Sequence, residues 1–429
     1  MQLTPLLPVR GMTGVLVDGT AVDIELSTGA DGVSRVHDIR PPDPSGSIGR
    51  SDWLDLSGYV LTAAAAEPHA HLDKAMSWSE LDPPLGDLHD AITAWQAGCG
   101  RLDEDSFRRR ALATASAMLR NGITAVRTHV DIFSDHDPLR AVRALSHLRE
   151  TLRGLMTVQI VVLGRTTSPD SAIEAALAAG ADLIGGAPHV ADDPVAEMTR
   201  LLDLAEKHGV GVDIHADEFL DGDHLTVELL ADRVADWPAD RIRTASHCSR
   251  LATLPPADLQ RVAAALARAA VSVVALPITN LYLQGRQGLS AGRRGITTID
   301  VLRDAGVLVA AGADNVRDPF NPVGRADPLE TASLLVVAAH QPPSVAADLV
   351  TDSARAVLGL EPAGPRIGAR ADFLAVRGTD IVEAIAVAPA DRVVIVNGVP
   401  VAKTETTSWI AGEPDGNRTP ALARAAEDR

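Results

Sequence analysis

The chain has 429 residues, of which 39 are Lys or Arg and 57 are Asp or Glu, for a formal net charge of −18. That balance argues against a nucleic-acid binder, which displays a basic patch, while leaving room for a local basic spot inside a cleft. A hydrophobic fraction of 46% excludes a disordered chain, and two cysteines, Cys99 and Cys248, exclude a disulfide scaffold and point to a reducing, cytoplasmic compartment.

In chain order, residues 1–8 lack a basic region followed by a long apolar run and do not read as a secretory signal. Residues 14–27 alternate in hydrophobicity around Asp18-Gly19, a hairpin pattern. A rhythm then sets in. Short apolar, β-branched runs at 59–66, 124–129, 157–163, 182–184, 210–214, 242–245, 271–276 and 307–311 alternate with amphipathic stretches at 104–120, 138–153, 171–179, 195–208, 225–234, 257–269, 299–304 and 329–339. Continuous apolar runs bounded by turn signals suit strands covered on both faces. Acids with an early proline open the helical stretches at Ser168-Pro169-Asp170 and Asp192-Asp193-Pro194, and glycine closes others at Gly122, Gly180, Gly209 and Gly306.

Eight such repeats predict an α/β fold, a distorted (β/α)8 TIM barrel. A doubly wound open sheet shows the same alternation, but the strand count and the lack of a Gly-x-Gly-x-x-Gly turn favour the barrel. The longest apolar runs, such as 271–278, fall well short of the roughly 20 residues that span a bilayer. Near the far end, 371–376 and 392–401 read as strands with a hairpin turn at Asn397-Gly398. They are expected to join the N-terminal strands in a small β-sandwich. The division is then 1–58 and 365–410 for the sandwich, 59–364 for the barrel, and 411–429 for a polar tail.

The strand ends carry the chemistry. After the first run comes Glu67-Pro68-His69-Ala70-His71-Leu72-Asp73-Lys74; the fifth ends in His215-Ala216-Asp217-Glu218, the sixth in Ser246-His247 and the eighth in Asp314-Asn315. In a barrel these ends open on one face, where the active site sits. His69 and His71, two apart on extended chain, point the same way. With His215 and Asp314 they make an N3O set suited to one divalent ion, Zn²⁺ or Fe²⁺, with a position left for water. Asp314 could take that water's proton, Glu218 could shuttle it, and His247 could polarise the bond under attack or hold the water. Taken alone, a His-x-His pair is common by chance and Asp-Asn after a strand is an ordinary turn. The joint placement at the mouths of strands one, five and eight is what points to a metal.

Seven segments also carry a likeness. They are Glu67-Pro68-His69-Ala70-His71-Leu72-Asp73, Val126-Arg127-Thr128-His129-Val130-Asp131, Ile214-His215-Ala216-Asp217-Glu218, Thr244-Ala245-Ser246-His247, Asn280-Leu281-Tyr282-Leu283-Gln284-Gly285-Arg286, Arg293-Arg294-Gly295-Ile296-Thr297 and the stretch from Asp314 to Asp318-Pro319-Phe320. In this combination and order the sequence resembles the amidohydrolase superfamily, in its cytosine deaminase-like branch. The resemblance implies a TIM barrel with a β-sandwich and a mononuclear site ligated by His69, His71, His215 and Asp314. Glu218 and His247 would take the acid–base and polarising roles, and His129 and Asp131 would lie outside the metal's ligands. The fourth strand leads to Gly185-Gly186-Ala187-Pro188-His189, without the lysine that bridges two metals in other branches.

Departures concern the substrate. Where cytosine deaminases carry a glutamine after the third strand, this chain has Arg165, a permanent donor suited to a carbonyl or an anion; the bland alternative is a solvated or acid-paired loop residue. Their second aspartate is Asn315 here, and their tryptophan is Phe320. Gln284 and Lys74 are further pocket candidates, with Lys74 reaching substrate or pairing with Asp73 or another acid. Arg293-Arg294 reads as a structural ion-pair node before a clamp, His189 as support for the site, and Cys248 as buried and inert.

The expected activity is metal-dependent hydrolysis of a C–N bond in a small amino-heterocycle, with deamination leading. Cleavage of an N-alkylamino group or a cyclic amide is the alternative, and an inactive barrel used as a binding protein is the alternative of another class. The expected partner is a small heterocyclic substrate, with no nucleic acid and no membrane. Homo-oligomerisation is left open.

Overall fold

The computed structural model describes residues 7–43, 52–286 and 294–409. Among these, strands run in the order β1 (Gly11–Val17), β2 (Thr20–Thr28), β3 (Ser34–Arg40), β4 (Trp53–Asp55), β5 (Tyr59–Ala63), β6 (Ala65–Ala70), β7 (Ile123–Asp131), β8 (Thr157–Leu163), β9 (Leu183–Gly185), β10 (Gly211–Ala216), β11 (Arg243–His247), β12 (Ser272–Ala275), β13 (Val309–Ala311), β14 (Phe373–Arg377), β15 (Arg392–Val396) and β16 (Val399–Thr404).

Strands β6 to β13 pair in sequence order, each parallel to the next. Parallel neighbours need a crossover, and the amphipathic helices supply it; Glu104–Arg120, Pro194–His208 and Pro256–Arg268 are three of them. Their apolar faces and the strands' outward residues form one large core that includes Val126, Ile160, Ile184, Val212 and Leu266. Between β13 and β6 the ring closes through a bridge from Ala70 to Asp314. The seam is stapled by Glu67, whose carboxylate accepts from the amides of His69 (3.3 Å) and Ala313 (2.9 Å). Gly312 leaves it room, since a Cβ there would lie 2.0 Å from Glu67 Oε1. The fold is the expected distorted TIM barrel.

Both chain ends meet in a second, mixed sheet ordered β16-β15-β14-β5-β1-β2-β3, with β4 on β1. Its two wings enclose a separate core in which Ile24, Leu26 and Val36 meet Phe373, Val393 and Ile395. The Asp18-Gly19 and Asn397-Gly398 turns have φ of 48°, 75°, 51° and 76°, the left-handed pairs that tight hairpins require. Buried Arg392 ties this sheet to the barrel. Its guanidinium meets Asp327 through two 2.8 Å bonds and the Asn121 carbonyl at 3.0 Å.

Three expectations are corrected. The run 59–66 is two strands: β5 pairs antiparallel with β14 in the chain-end sheet, and only β6 enters the barrel, so the barrel begins after residue 63 rather than at 59. Apolar content alone did not distinguish the halves, since both are buried. The run 124–129 extends beyond its expected end, so that β7 carries both His129 and, as its last residue, Asp131. Helices at Leu88–Gly98, Pro277–Leu283, Pro343–Val350, Asp352–Val357 and Ile381–Val387 add to the expected eight. The first of these carries a capping box between Asp87 and Asp90. No helix among the described residues is long and apolar enough to cross a membrane. The 411–429 tail and Arg293 lie outside the described residues.

Candidate active site

The bridge that closes the barrel also assembles the site. Ala70 lies between His69 and His71, so its pairing with Asp314 brings both imidazoles to that carboxylate. His69 Nε2 and His71 Nε2 stand 3.6 and 3.2 Å from Asp314 Oδ1. From the end of β10, His215 Nε2 comes within 3.1 Å of His71 Nε2. All four side chains are buried. His69 Nε2 and Asp314 Oδ1 have no hydrogen-bond partner among the described residues.

Four donors around one tetrahedral cation at 2.0–2.1 Å stand about 3.3 Å apart. Three of the six pairs, His71–His215, His71–Asp314 and His69–Asp314, stand 3.1, 3.2 and 3.6 Å apart and fit that edge. Burial drives the His71 and His215 imidazoles well below their ordinary range, with neighbouring Lys74 and His69 adding to it respectively. They are therefore neutral, as metal ligation requires. Asp314 is held at φ 63°, a left-handed conformation that a non-glycine residue adopts only under constraint. His129 lies nearer than expected. Its ring is 4.0 Å from that of His69, and it forms a compact triad of potential ligand atoms with His69 and His215. A second triad joins His69, His247 and Asp314.

Beside these donors sit a carboxyl and an imidazole, those of Glu218 and His247, 3.3 Å apart. Asn280, on the helix Pro277–Leu283, places its amide nitrogen 3.1 Å from Glu218 Oε1 and 3.0 Å from His247 Nδ1. Donation to Nδ1 leaves the ring proton of a neutral His247 on Nε2, which faces Asp314 Oδ2 at 4.0 Å. Burial, reinforced by the Asp314 carboxylate, pushes Glu218 well above the usual carboxyl range, so it holds a proton near neutral pH. His247 is also in a left-handed conformation, φ 69°, and Thr297 donates to its carbonyl at 2.5 Å. Three residues after His215 the chain must turn sharply. Asp217 pins that loop by accepting from Thr226 and Val227, the first residues of the following helix.

These groups open into a cavity of about 970 Å³ whose wall includes Lys74, Arg165, Gln284, Asn315 and Phe320. The five differ in how they are held. Lys74 is clamped by Asp131 (2.7 Å) and Asp73 (3.1 Å) over the Trp95 ring; burial opposes its charge, but the two carboxylates keep it above its ordinary value. Arg165 is partly exposed and loosely paired, with Cys99 Sγ at 3.8 Å and Asp131 Oδ2 at 4.0 Å as its polar side-chain contacts among the described residues. Gln284 donates to Ser249 at 2.9 Å and leaves its buried Oε1 without a partner among the described residues. The Asn315 amide is already engaged, donating to Asp318 at 2.9 Å. Phe320 follows on the same turn. His189 Nδ1 meets the His215 carbonyl at 3.0 Å, which supports that strand end. Arg294 donates to the Leu281 carbonyl, and among the described residues it forms no ion pair. Cys99 and Cys248 are free and buried.

The amidohydrolase family profile matches residues 101–402. A pterin deaminase of Rhizobium rhizogenes is 30% identical over 410 residues, covering 92% of this chain and 91% of that protein. The chain belongs to the amidohydrolase family. Two solved structures share the whole architecture of this amidohydrolase. A 5-methylcytosine deaminase from Klebsiella pneumoniae superposes with a TM-score of 0.83 at 25% identity, over 93% of this chain and all of that one. N-isopropylammelide isopropylaminohydrolase from Burkholderia multivorans gives 0.76 at 28%, over 92% and 98%.

The amidohydrolase site also uses residues to which the sequence assigned no role: Asn280, Asp318, Asp213 and Ser246. Asp318 accepts from Asn315 and from the Phe320 amide and so sets the turn bearing both. Asp213 and Ser246 stand behind His69, with 2.7 Å from Ser246 Oγ to Asp213 Oδ1 and 2.8 Å to His69 Nδ1. One signal was available. It serves Asp213, which lies two positions before His215 on a strand whose alternate residues share a face; Ser246, one position before His247, carries no such signal.

Proposed function

We propose that this amidohydrolase is a metal-dependent deaminase that hydrolyses the exocyclic C–N bond of an amino- and oxo-substituted nitrogen heterocycle, releasing ammonia. The single observation that carries this reading is the convergence of His69, His71, His215 and Asp314 at the spacing of one cation's ligands, with protonated Glu218 beside them. A divalent ion held there, Zn²⁺ or Fe²⁺, would lower the pKa of a coordinated water toward about 7 and so supply the nucleophile at neutral pH.

The chain's own groups do the rest. As water adds to the amino-bearing carbon, Glu218 gives its proton to a ring nitrogen and takes up the proton that the water sheds, which restores it for the next turnover. Asp314 takes the proton lost from the added hydroxyl and passes it to the departing amine. The carbon–nitrogen bond breaks, a carbonyl forms, and ammonia leaves. His247, with its proton on Nε2, donates to the oxygen that becomes the carbonyl. Arg165 offers donors to a carbonyl or anionic edge of the ring, and Gln284 lines the same wall.

Cytosine is a poor fit to this wall, because Arg165 and Asn315 replace two groups that read it. A 2-amino-4-oxo bicycle suits it better. The cavity accommodates two fused rings, and the pterin deaminase of Rhizobium rhizogenes is a relative over nearly the whole chain. Likeness to the Burkholderia multivorans enzyme supports the second reading, removal of an N-alkylamino group.

The test is a panel of aminopteridines, aminopyrimidines and N-alkylaminotriazines given to purified protein, with ammonia and alkylamine measured separately and metal analysed on the same sample. Ammonia from a 2-amino-4-oxopteridine with one metal per chain is the expected result. Alkylamine alone favours the second reading, and a metal-replete protein that turns over none of the panel defeats both.

A further inference from the structure

We infer that Arg127, Asp213 and Ser246 form a buried relay whose task is to fix the tautomer of His69, leaving its Nε2 as a bare lone pair at the cation position. The inference rests on the metal reading above and goes beyond it by assigning positioning residues to one ligand. It starts from Arg127, on β7, which is fully buried. Its guanidinium donates to Gln159 Oε1 (3.0 Å), Asp213 Oδ2 (2.9 Å), Thr244 Oγ1 (3.0 Å) and the Val357 carbonyl (2.9 Å). Four barrel strands and the helix Asp352–Val357 thus meet on one rigid, permanently charged plane. Asp213, on β10, is held by that plane through one oxygen and presents the other upward.

Proton counting then determines the rest. A carboxylate paired with arginine only accepts. The 2.7 Å contact from Ser246 Oγ to Asp213 Oδ1 therefore uses the serine's single hydrogen. With that hydrogen spent, the 2.8 Å contact between Ser246 Oγ and His69 Nδ1 can only be donation from Nδ1–H. A neutral imidazole has one hydrogen, so Nε2 carries the lone pair, and Nε2 is the atom that lies 3.6 Å from Asp314 Oδ1 without a hydrogen-bond partner among the described residues. His129 Nε2 stands 3.5 Å from the same Asp213 oxygen without hydrogen-bonding to it. Without Ser246, the ring could rotate or hold its proton on Nε2, and the ligand would be lost without any change to the barrel.

The experiment compares wild type with Ser246→Ala and Ser246→Thr. Zinc affinity is read by competition with a chromophoric chelator. The His69 tautomer is read in the metal-free protein by long-range proton–nitrogen spectra of histidine-labelled samples, with the His69 signal assigned from a His69→Gln sample. Expected are an Nδ1–H tautomer in metal-free wild type, a loss of zinc affinity of roughly 10- to 100-fold in Ser246→Ala, and recovery to within a few-fold in Ser246→Thr, which keeps the hydroxyl. Stoichiometric zinc in wild type with unaltered affinity in Ser246→Ala overturns the relay alone. An Nε2–H tautomer in the metal-free wild type does so too, whether or not the alanine variant folds. Wild type that takes up neither zinc nor iron overturns the metal reading itself and the relay's purpose with it.

Discussion

Glu218 and His247 share one amide, that of Asn280, and this ties the proposed acid to the proposed polarising group. The arrangement separates two properties that a carboxylate near a metal would ordinarily combine. Glu218 is not among the four converging donors, so its proton is its contribution. Glu218→Gln keeps the shape and the hydrogen bond to Asn280 but has no proton to deliver. Its metal content is expected to match wild type while kcat falls by about 10²- to 10⁴-fold. Steady-state kinetics with metal analysis on the same sample checks this, and activity within a few-fold of wild type would remove Glu218 from the chemistry. Its offset of three residues from His215 was legible in the chain. The role of Asn280 was not, because its partners lie 62 and 33 residues away and only barrel closure brings them together.

At the scale of elements, the turn after Asp314 has a pH dependence built in. Asp318 is fully buried, and loss of hydration raises its carboxyl to about 7 despite hydrogen bonds from Asn315 and Phe320. In the unfolded chain it titrates near 3.8. Between these values the folded protein holds a proton that the unfolded chain has released. Its contribution is therefore fully present below about pH 4 and is lost as pH rises through 7. The shift corresponds to on the order of 4 kcal/mol. Asp318→Asn should flatten this slope. Urea midpoints at pH 5 and pH 8 should differ less in the variant than in wild type, and equal differences would show that the carboxyl does not titrate in this window. A second element-level lesson concerns 59–66. Its two halves look alike in composition, yet one pairs with β14 and the other with β7, a distinction made by partners more than 300 residues away for β5.

At the scale of the whole molecule, the barrel and the chain-end sheet are joined by buried charge as well as apolar packing. Arg392 reaches from β15 to Asp327, which also caps the helix Pro328–Ala339, and Arg355 meets Asp372 at 3.0 Å. Arg392→Met leaves Asp327 nearly buried without its cation and is expected to cost about 3–5 kcal/mol, measured by chemical denaturation. A loss below 1 kcal/mol would mean that the junction is held by packing alone. The cation position makes a second demand on the whole fold, since its donors come from β6, β10 and the chain after β13. Metal bound only by the folded state stabilises it by about 2.7 kcal/mol at a hundredfold excess over Kd. Chelation should therefore lower the thermal midpoint and re-addition restore it, and a midpoint insensitive to both would speak against a resident metal.

The chain by itself determined the alternation of strands and helices, because period and turn residues are local properties. Helices Glu104–Arg120 and Ile299–Asp304 end where the pattern said they would. It also placed His69, His71, His215, Glu218, His247 and Asp314 at strand mouths, since strand direction converts sequence position into one face of a barrel. Tertiary structure alone decided which groups stand behind those residues. Arg127, Asp213 and Ser246 act on His69 through contacts spanning 86, 33 and 177 residues, and no local period encodes such distances. It alone decided that the Asn315 amide turns to Asp318 while Arg165 stays nearly unpaired at the cavity wall. The number of hydrogen bonds a side chain has left to offer depends on every neighbour the fold assigns to it.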